Sequence, residues 1–455
     1  MNPEFRRNVW LELSPRRLMT MTAVLVLIFF AAAVSGNEWL PRSAATTLYY
    51  FIVVFWGSRN AALSVVGEIR ERTWDFQRLS ALGAGEMTWG KLFGATIFNW
   101  YGGAICLVVI LAYRVAHDGA VAGVISLVYF VVIGIIAQSV SLLASLIAAM
   151  RRQRHTQLEV FAYQVIGIVA AFLAYSVWKV ADPAGAIGAH LRAAADTIPW
   201  WGQAFDARAF LLTSLALFAG WTLIGCYRAM RLELKMLNGP FVWLSFLIFM
   251  GVYVAGFDAL TPKSIEINSF HVDVLAERLT LAGMTFVIIT YVMVLLEPKD
   301  RVLYRWMGAE LAQGHLGRIA WAMQGWMMSC KAAFLVGIAL IAWLVNANET
   351  AAAAFVGSGL GFLLRDVGIF VLLQTLPGPR RGDFAAVVTL FALYVLAPAI
   401  AHGFSASQAL IVFYPQASTP IWASPAVAWA EALVVVVLTV SRIAGSVRRP
   451  AAPAA

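Results

Sequence analysis

Charged residues are scarce in this sequence: only 13% of its 455 residues are Asp, Glu, Lys or Arg. A soluble protein of average composition carries about 25%. Hydrophobic residues make up 61% of the chain, and its mean hydropathy is +0.78. This composition excludes a chain of soluble domains, which the length alone would favour. Most apolar runs approach or exceed the roughly 18 residues that span a bilayer, so the sequence predicts an all-α, polytopic integral membrane protein.

Cysteine and histidine are also scarce, with three and six residues respectively. Cys106, Cys226 and Cys330 are far apart and lie in or beside apolar runs, which excludes a disulfide framework and a cysteine-rich metal site. The sequence contains no H-E-x-x-H zinc motif and no G-x-S-x-G nucleophile elbow. We therefore expect no catalytic residues, no metal and no cofactor bound by this chain. The sequence therefore lacks the catalytic motifs that a membrane-embedded enzyme would need.

Twelve apolar segments are predicted to be membrane-spanning helices. They are residues 18–34, 45–66, 91–113, 121–150, 158–178, 209–227, 240–257, 276–296, 331–346, 353–376, 384–403 and 425–441. With the N-terminus in the cytoplasm, 24 of the 33 Lys and Arg residues fall in cytoplasmic segments. Basic residues concentrate on that side of membrane proteins, so we expect both termini to be cytoplasmic. The same rule accounts for the net charge of +9 without a nucleic-acid partner.

Short motifs recur in the same order in the two halves of the chain. They are Leu11-Glu12-Leu13 with Leu232-Glu233-Leu234, loop starts at Glu68 and Glu297, loop ends at Gly90-Lys91 and Gly317-Arg318, Arg151-Arg152 with Arg380-Arg381, and Pro199-Trp200-Trp201 with Pro420-Ile421-Trp422. Five matches in one order favour duplication over chance. The sequence therefore predicts a parallel six-plus-six repeat, with one six-helix domain in residues 1–227 and another in 228–455.

The cytoplasmic loop after the second span, residues 68–90, has an amphipathic pattern. If it is wound as one helix, apolar residues from Val65 to Leu79, including Phe76, share one face. The opposite face carries Glu71, Trp74, Asp75 and Arg78. The spacing also allows Glu68 to pair with Arg72 and Asp75 with Arg78. This pattern predicts a membrane-surface helix that shows charges and a tryptophan to the cytoplasm. A mixed-sign face suits a protein partner better than lipid, because lipid binding favours Lys and Arg alone.

At these residues the chain resembles the permease subunits of type-2 ATP-binding-cassette (ABC) exporters. Between their second and third spans, members of that family carry a pattern close to E-x-E-x-G-T-x-x-x-L-x-x-x-P, followed by G-K. The matching residues here are Glu68, Glu71, Thr73, Leu79 and Gly90-Lys91. Arg72 stands where the family often has Gly, and Ala84 or Gly85 lies near the usual Pro.

The resemblance implies a permease that moves substrate with ATP and Mg²⁺ used by a separate cytoplasmic ATPase, two copies of which would bind, in a cell inner membrane. Residues 1–17 would form an interfacial elbow helix, loop 68–90 a coupling helix, and residues 182–206 short re-entrant helices on the outer side. Residues 297–330 would form a degenerate second coupling loop, with Leu303, Met307 and Leu311 on one face and Glu310 beside it. The residues expected to dock the ATPase are Glu68, Arg70, Glu71, Arg72, Thr73, Trp74, Asp75, Arg78, Glu297, Asp300, Arg301 and Arg305.

Arg59 lies inside a predicted span, but close enough to its cytoplasmic end to favour a snorkelling side chain. Other charged residues inside predicted spans include Arg365, Asp366 and Glu431. A charge is costly within a bilayer, so these residues form a possible intramembrane polar site. Ion pairing for structural reasons is the alternative interpretation, and adjacent residues on a helix point about 100° apart, so each is expected to have another partner. The alternative function is an ion-coupled secondary transporter with six-plus-six repeats. The G-x-x-x-D-R-x-G-R loop of the major facilitator class is absent, however.

Overall fold

The computed structural model describes residues 2–80, 82–150, 157–181, 197–236, 238–257, 274–297, 299, 301–375, 382–404, 407–416 and 420–445. These residues are almost entirely helical, with one two-stranded sheet. The chain divides into two compact units. The first consists of Met1–Ile198 and Ala204–Asn238, and the second of Pro199–Gln203 and Gly239–Ala455.

The first unit contains ten helices among its described residues. They are α1 (Pro3–Glu12), α2 (Pro15–Val34), α3 (Leu40–Tyr49), α4 (Gly57–Arg70), α5 (Trp74–Arg78), α6 (Ala84–Trp89), α7 (Ile97–Asp118), α8 (Ala120–Met150), α9 (Gln157–Ala181) and α10 (Ala207–Glu233). A π-helical segment, Tyr50–Trp56, joins α3 to α4, and a second, Gly90–Gly94, precedes α7. Strands β1 (Thr197–Trp200) and β2 (Gln203–Asp206) lie just before α10.

The second unit contains nine helices among its described residues. They are α11 (Phe241–Ala255), α12 (Val274–Leu296), α13 (Arg301–Ala312), α14 (Leu316–Ala322), α15 (Gly325–Asn346), α16 (Thr350–Gln374), α17 (Gly382–Phe391), α18 (Ala397–Gly403) and α19 (Ala423–Gly445). The π-helical segment Ala392–Leu396 joins α17 to α18, and a 3₁₀ helix covers Ser407–Val412.

All twelve predicted spans are helical in the structure. Eleven helical segments in the described part of the chain are long and apolar enough to cross a membrane. The remaining predicted span, α11, is apolar but only 15 residues long. The prediction of an all-α, multi-pass membrane protein is thus confirmed, whereas only eleven of the twelve predicted spans have the length of a complete span.

Local sequence signals start the first two helices. The side chain of Asn2 accepts hydrogen bonds from the backbone N–H groups of Glu4 and Phe5, and Pro3 occupies the first helical position. Ser14 and Pro15 repeat this arrangement at the start of α2. A capping oxygen satisfies backbone donors that the helix cannot, and proline has no such donor to lose. One helix therefore ends and the next begins within two residues, Leu13 and Ser14.

Side-chain amides from three helices complete the π-helical segment Tyr50–Trp56. The amide of Asn99 on α7 donates to the carbonyl of Ile52 at 2.9 Å, and that of Gln138 on α8 donates to the carbonyl of Val53 at 3.0 Å. Gln164 on α9 donates to the carbonyl of Phe55 at 3.0 Å. Backbone carbonyls at membrane depth must be satisfied within the protein. These amides therefore join α7, α8 and α9 to the second span.

Close helix packing in the second unit depends on small residues. A Cβ atom added to Gly361 of α16 would lie 2.8 Å from the Cβ atom of Ala428 on α19. On α15, a Cβ atom added to Gly337 would lie 2.9 Å from the side chain of Leu360. Small residues let membrane helices approach each other closely, and α16 consequently packs between α15 and α19.

The described part of the predicted re-entrant region, residues 197–206, is a β-hairpin and not a helix. Strands β1 and β2 are joined by Trp201 and Gly202, whose φ values are +52° and +71°. Two positive φ values in a two-residue turn are typical of a tight hairpin and exclude helix. Residues 182–196 lie outside the described residues. The prediction of re-entrant helices is therefore wrong for residues 197–206.

Candidate functional site

The loop between the second and third spans is not a single helix. Helix α4 ends at Arg70, and α5 starts only at Trp74. Between them Arg72 has a φ of +59°, which belongs to the left-handed region that non-glycine residues rarely adopt. This break rotates α5 relative to α4, so the two helices do not share one continuous face.

The rotation reverses the predicted orientation of the loop. Trp74, predicted to face the cytoplasm, is buried with 5% of its surface exposed, whereas Phe76 and Leu79 from the predicted apolar face are 77% and 85% exposed. Val65 and Val66, on α4, are buried as predicted. The predicted burial is therefore right before the break, whereas the predicted exposure of Trp74 after it is wrong.

Trp74 anchors α5 to the end of α10. Its indole Nε1 donates to a carboxylate oxygen of Glu233 at 3.2 Å. Arg78 lies 3.8 Å from the same carboxylate and 3.5 Å from Asp75, so the predicted Asp75–Arg78 pair is present. Glu233 is 6% exposed. A buried carboxylate of this kind needs such partners.

A buried ionic cluster, here called the Lys91 network, joins the loop to the N-terminal helix. It consists of Glu4, Arg7, Glu68 and Lys91. Glu68 pairs with Lys91 and with Arg7 (2.6 Å), and not with Arg72 as predicted. Glu4 lies 2.9 Å from Arg7 and 3.5 Å from Lys91. Two cations and two carboxylates thus neutralise each other.

Lys91 lies at the centre of this network. Its side chain is 1% exposed, and its ammonium also donates to the carbonyl of Ser64 at 3.2 Å and lies 5.0 Å from the ring centre of Trp74. Burial lowers the pKa of the Lys91 ammonium from its ordinary value of 10.5, while Glu68 and Glu4 oppose this effect. The charge is tolerated because the two carboxylates replace the lost water.

Helix α1, inside the predicted elbow segment 1–17, packs directly on the start of the third span. A Cβ atom at Gly90 would lie 2.5 Å from the side chain of Glu4, and one at Gly94 would lie 2.9 Å from Asn8. Asn8 donates to the carbonyl of Gly90 at 3.0 Å. The two glycines therefore permit the close approach that brings Glu4 to Lys91.

Four of the predicted docking residues, together with two apolar ones, form an exposed patch, here called the loop surface. Its members are Glu71, Arg72, Thr73, Asp75, Phe76 and Leu79. Four other predicted docking residues do not belong to it. Glu68 pairs with Lys91, Trp74 is buried against Glu233, and Arg70 and Arg78 are half-buried. The loop surface thus combines two carboxylates, one guanidinium and two large apolar side chains on an anchored support.

The second predicted docking loop is organised differently. The carboxylate of Glu297 accepts hydrogen bonds from the backbone N–H groups of Gly325 (3.0 Å) and Trp326 (3.1 Å), so it caps the start of α15. Arg305 on α13 is exposed. Asp300 and the side chain of Arg301 lie outside the described residues.

The predicted apolar face of that loop is only partly right. Leu303 and Met307 are half-buried, but Leu311 is 61% exposed. Glu310 is 8% exposed, and its carboxylate lies 2.8 Å from His315 and 3.4 Å from Arg318. Both partners of Glu310 come from the turn and the short helix that follow α13. Helical periodicity within α13 alone therefore does not predict that Glu310 is directed inward.

Three predicted intramembrane residues meet in a second polar site, here called the Arg365 cluster. Arg365 lies 3.0 Å from Asp366 and 2.7 Å from Glu431 of α19, and its Nη1 also donates to the carbonyl of Val412 at 3.1 Å. The hydroxyl groups of Tyr291 and Tyr394 donate to Asp366 at 2.7 and 2.6 Å. Arg365 and Asp366 are neighbours in the chain, and each has a further partner, as the sequence predicts.

The sequence interpretation missed the partners of both polar sites. Glu4 and Arg7 in the Lys91 network, and Tyr291 and Tyr394 in the Arg365 cluster, were not named. Glu233, the partner of Trp74, was named only within a repeated motif. Their signal is a polar group within or directly beside an apolar segment, which is costly unless paired. Asn99, Gln138 and Gln164 carry the same signal. Pairing across distant parts of the chain is not encoded in local periodicity, so only the structure reveals the partners.

Within the described residues, no group of three or more His, Cys, Asp or Glu side chains could hold a metal ion. No protein-family model, curated protein or solved structure matches the chain. The fold and the two polar sites therefore define a class, a helical multi-pass membrane protein, and the function is argued from the sites.

Proposed function

We propose that the chain is the membrane-spanning permease subunit of an ABC transporter, driven by separate cytoplasmic ATPase subunits. The observation that carries the proposal is the loop surface, an exposed patch of mixed charge with Phe76 and Leu79 at 77% and 85% exposure. Large apolar side chains with charged neighbours suit a protein interface.

Transmission of force requires that a docking loop be held rigidly to the spanning helices. The Lys91 network ties the loop to α1 and to the start of the third span, and Trp74 ties α5 to α10 through Glu233. Movement of the loop would therefore be passed to several helices together. This arrangement supports a coupling role for loop 68–90, because rigid-body transitions depend on such connected elements.

The six-plus-six repeat and the inner-membrane orientation with cytoplasmic termini belong to the same proposal. Two short helices follow the second span of the first unit (α5 and α6), and two follow α12 in the second unit (α13 and α14). The second pair would be the degenerate coupling element, docking through Arg305 and its neighbours. Two ATPase subunits would then bind one chain, and ATP and Mg²⁺ would be bound by those subunits.

Affinity purification in mild detergent, followed by mass spectrometry, tests this proposal. We expect an ATPase subunit to co-purify with the wild type and to be lost, by about tenfold or more, with the Glu71→Arg, Asp75→Arg double variant, because charge reversal at an interface repels the partner. Glu38→Arg, at another exposed acidic residue, serves as the matched control. Absence of an ATPase from wild type and control alike would refute the proposal.

An ion-coupled secondary transporter is the second candidate. The Arg365 cluster favours it, because ionisable residues within spans mark ion or proton pathways in many transporters. Transport by proteoliposomes that requires an ion gradient and proceeds without any ATPase would identify this class. Transport that requires an added ATPase and ATP would exclude it.

A further inference from the structure

The Arg365 cluster contains more negative than positive charge. Arg365 supplies one cation, whereas Asp366 and Glu431 supply two carboxylates. The side chains of Arg365 and Asp366 are 3% and 0% exposed. An uncompensated charge in so dry a place is costly, and a group in this position takes up a proton or an ion instead of staying charged.

Asp366 has all the partners that an ionised carboxylate needs. One oxygen accepts from Arg365 Nε at 3.0 Å, and the other accepts from the hydroxyl groups of Tyr291 and Tyr394. All three donate to the carboxylate, so both of its oxygens have hydrogen-bond partners. Asp366 is therefore the permanent partner of Arg365.

Glu431 differs from Asp366 in two respects. Arg365 Nη1 donates to one of its oxygens at 2.7 Å, and its side chain keeps 27% of its surface exposed. It therefore accepts fewer hydrogen bonds than Asp366 and is reachable from outside the cluster. The Nη2 atom of Arg365 is buried and has no hydrogen-bond partner among the described residues, so the guanidinium keeps a donor free for an oxygen or a water molecule.

The elements around Glu431 supply no second cation to the described part of the cluster. Helix α16 contributes Arg365 and Asp366, α12 contributes Tyr291, and the π-helical segment after α17 contributes Tyr394. The 3₁₀ helix contributes the carbonyl of Val412, and α15 brings the thiol of Cys330 into the adjoining apolar core. A metal cation would need several free oxygen ligands, but both oxygens of Asp366 already accept hydrogen bonds.

We infer that Glu431 is an exchangeable proton-binding site, held by Arg365, within the membrane-spanning part of the second unit. A proton from water forms an O–H bond with the Glu431 carboxylate, Arg365 and Asp366 keep their charges, and the cluster becomes neutral. Release reverses the step. The site does not depend on the proposed ATPase partnership, since it would serve proton coupling or pH sensing in either class of transporter.

Infrared difference spectroscopy of the full chain in lipid nanodiscs tests this inference. Lowering the pH should produce the C=O stretching band of one protonated carboxylic acid per chain, with the characteristic shift in D₂O. Glu431→Gln should remove that band, and Glu38→Gln should leave it unchanged. Asp366→Asn leaves Glu431 as the one carboxylate paired with Arg365, so the band should then appear only at lower pH than in the wild type. Glu431→Gln copies the shape of the protonated acid, so it should elute as a folded protein in size-exclusion chromatography.

Two results would overturn the inference: a band that persists in Glu431→Gln, or a band that appears in folded Asp366→Asn at the same pH as in the wild type. As a second readout, the melting temperature of the wild type should change with pH across the range where the band appears. This change should be smaller in Glu431→Gln than in Glu38→Gln. Equal pH profiles in the two variants would count against proton binding at Glu431.

Discussion

Lys91 is a cation that the fold buries and then neutralises with carboxylates from two other segments. Glu4 comes from α1 and Glu68 from α4, so one side chain connects three parts of the chain. Such a contact stabilises the fold only while every charge in it is paired. Removing one partner costs more free energy than the intact pair contributes, because a buried charge is then left uncompensated.

Replacing Lys91 with Met should therefore destabilise the first unit. We expect a loss of about 3 kcal/mol, because Glu4 and Glu68 would remain buried with only Arg7 between them. Thermal unfolding in detergent measures the effect. Lys331→Met, at an exposed lysine, should stay within about 0.5 kcal/mol of the wild type. Equal melting temperatures for the two variants would show that the Lys91 network does not stabilise the fold.

Arg72 carries backbone strain, since its φ is +59°. Substitution with Gly should raise the stability by up to about 1 kcal/mol, because glycine adopts this conformation without a steric penalty. Substitution with Val should lower the stability, because a β-branched side chain is least compatible with positive φ. A melting temperature that falls for Gly and rises for Val would contradict this assignment of strain.

The same residue explains where prediction from the sequence failed. An arginine gives no local signal for positive φ, so the hydrophobic periodicity predicted one continuous helix from Val65 to Leu79. The real break exchanges the environments of Trp74 and Phe76. Position 72 often holds glycine in the family that the loop resembles, and a glycine would have marked the break.

At the scale of elements, the predicted spans agree closely with the helices. Long apolar runs leave little choice of structure, because a lipid environment forces backbone groups to bond within the segment. The hairpin at residues 197–206 was missed because its turn uses Trp201, which is not a typical turn residue, beside Gly202. The π-helical segment Tyr50–Trp56 was also missed, since its carbonyls accept hydrogen bonds from amides on other helices.

Those amides should contribute measurably to stability. Gln138→Leu would leave the carbonyl of Val53 without its donor and the indole N–H of Trp100 without its acceptor. We expect a loss of about 2 kcal/mol, because each buried polar group left unsatisfied costs about 1–3 kcal/mol. Gln313→Leu, at an exposed glutamine, is the control. If thermal unfolding of both variants matched the wild type, the π-helical segment would not depend on this amide.

At the scale of the whole molecule, the predicted span that forms the shortest helical segment is α11. Its 15 residues extend about 22 Å at 1.5 Å per residue, whereas the hydrocarbon core is about 30 Å thick. Local thinning of the bilayer can accommodate such a mismatch. Whether α11 crosses determines the orientation of every later helix.

Reporter fusions decide this point. If twelve segments cross with both termini inside, a C-terminal fluorescent protein should be active after residues 235 and 299, and a C-terminal alkaline phosphatase after residue 257. The positive-inside distribution is the physical reason for this expectation. If α11 did not cross, the fusion at 299 would instead report the outer side.

Glu297 gives the stretch that contains α13 and α14 a further property. Its carboxylate accepts hydrogen bonds from the backbone N–H groups of Gly325 and Trp326 at 3.0 and 3.1 Å. The end of α12 is therefore bonded directly to the start of α15. A stretch with fastened ends can lengthen at small entropic cost. Gly314, with a φ of +77° and no atom within 4 Å of a potential Cβ, is accordingly a natural position for inserting an epitope or a label without disturbing the spanning helices.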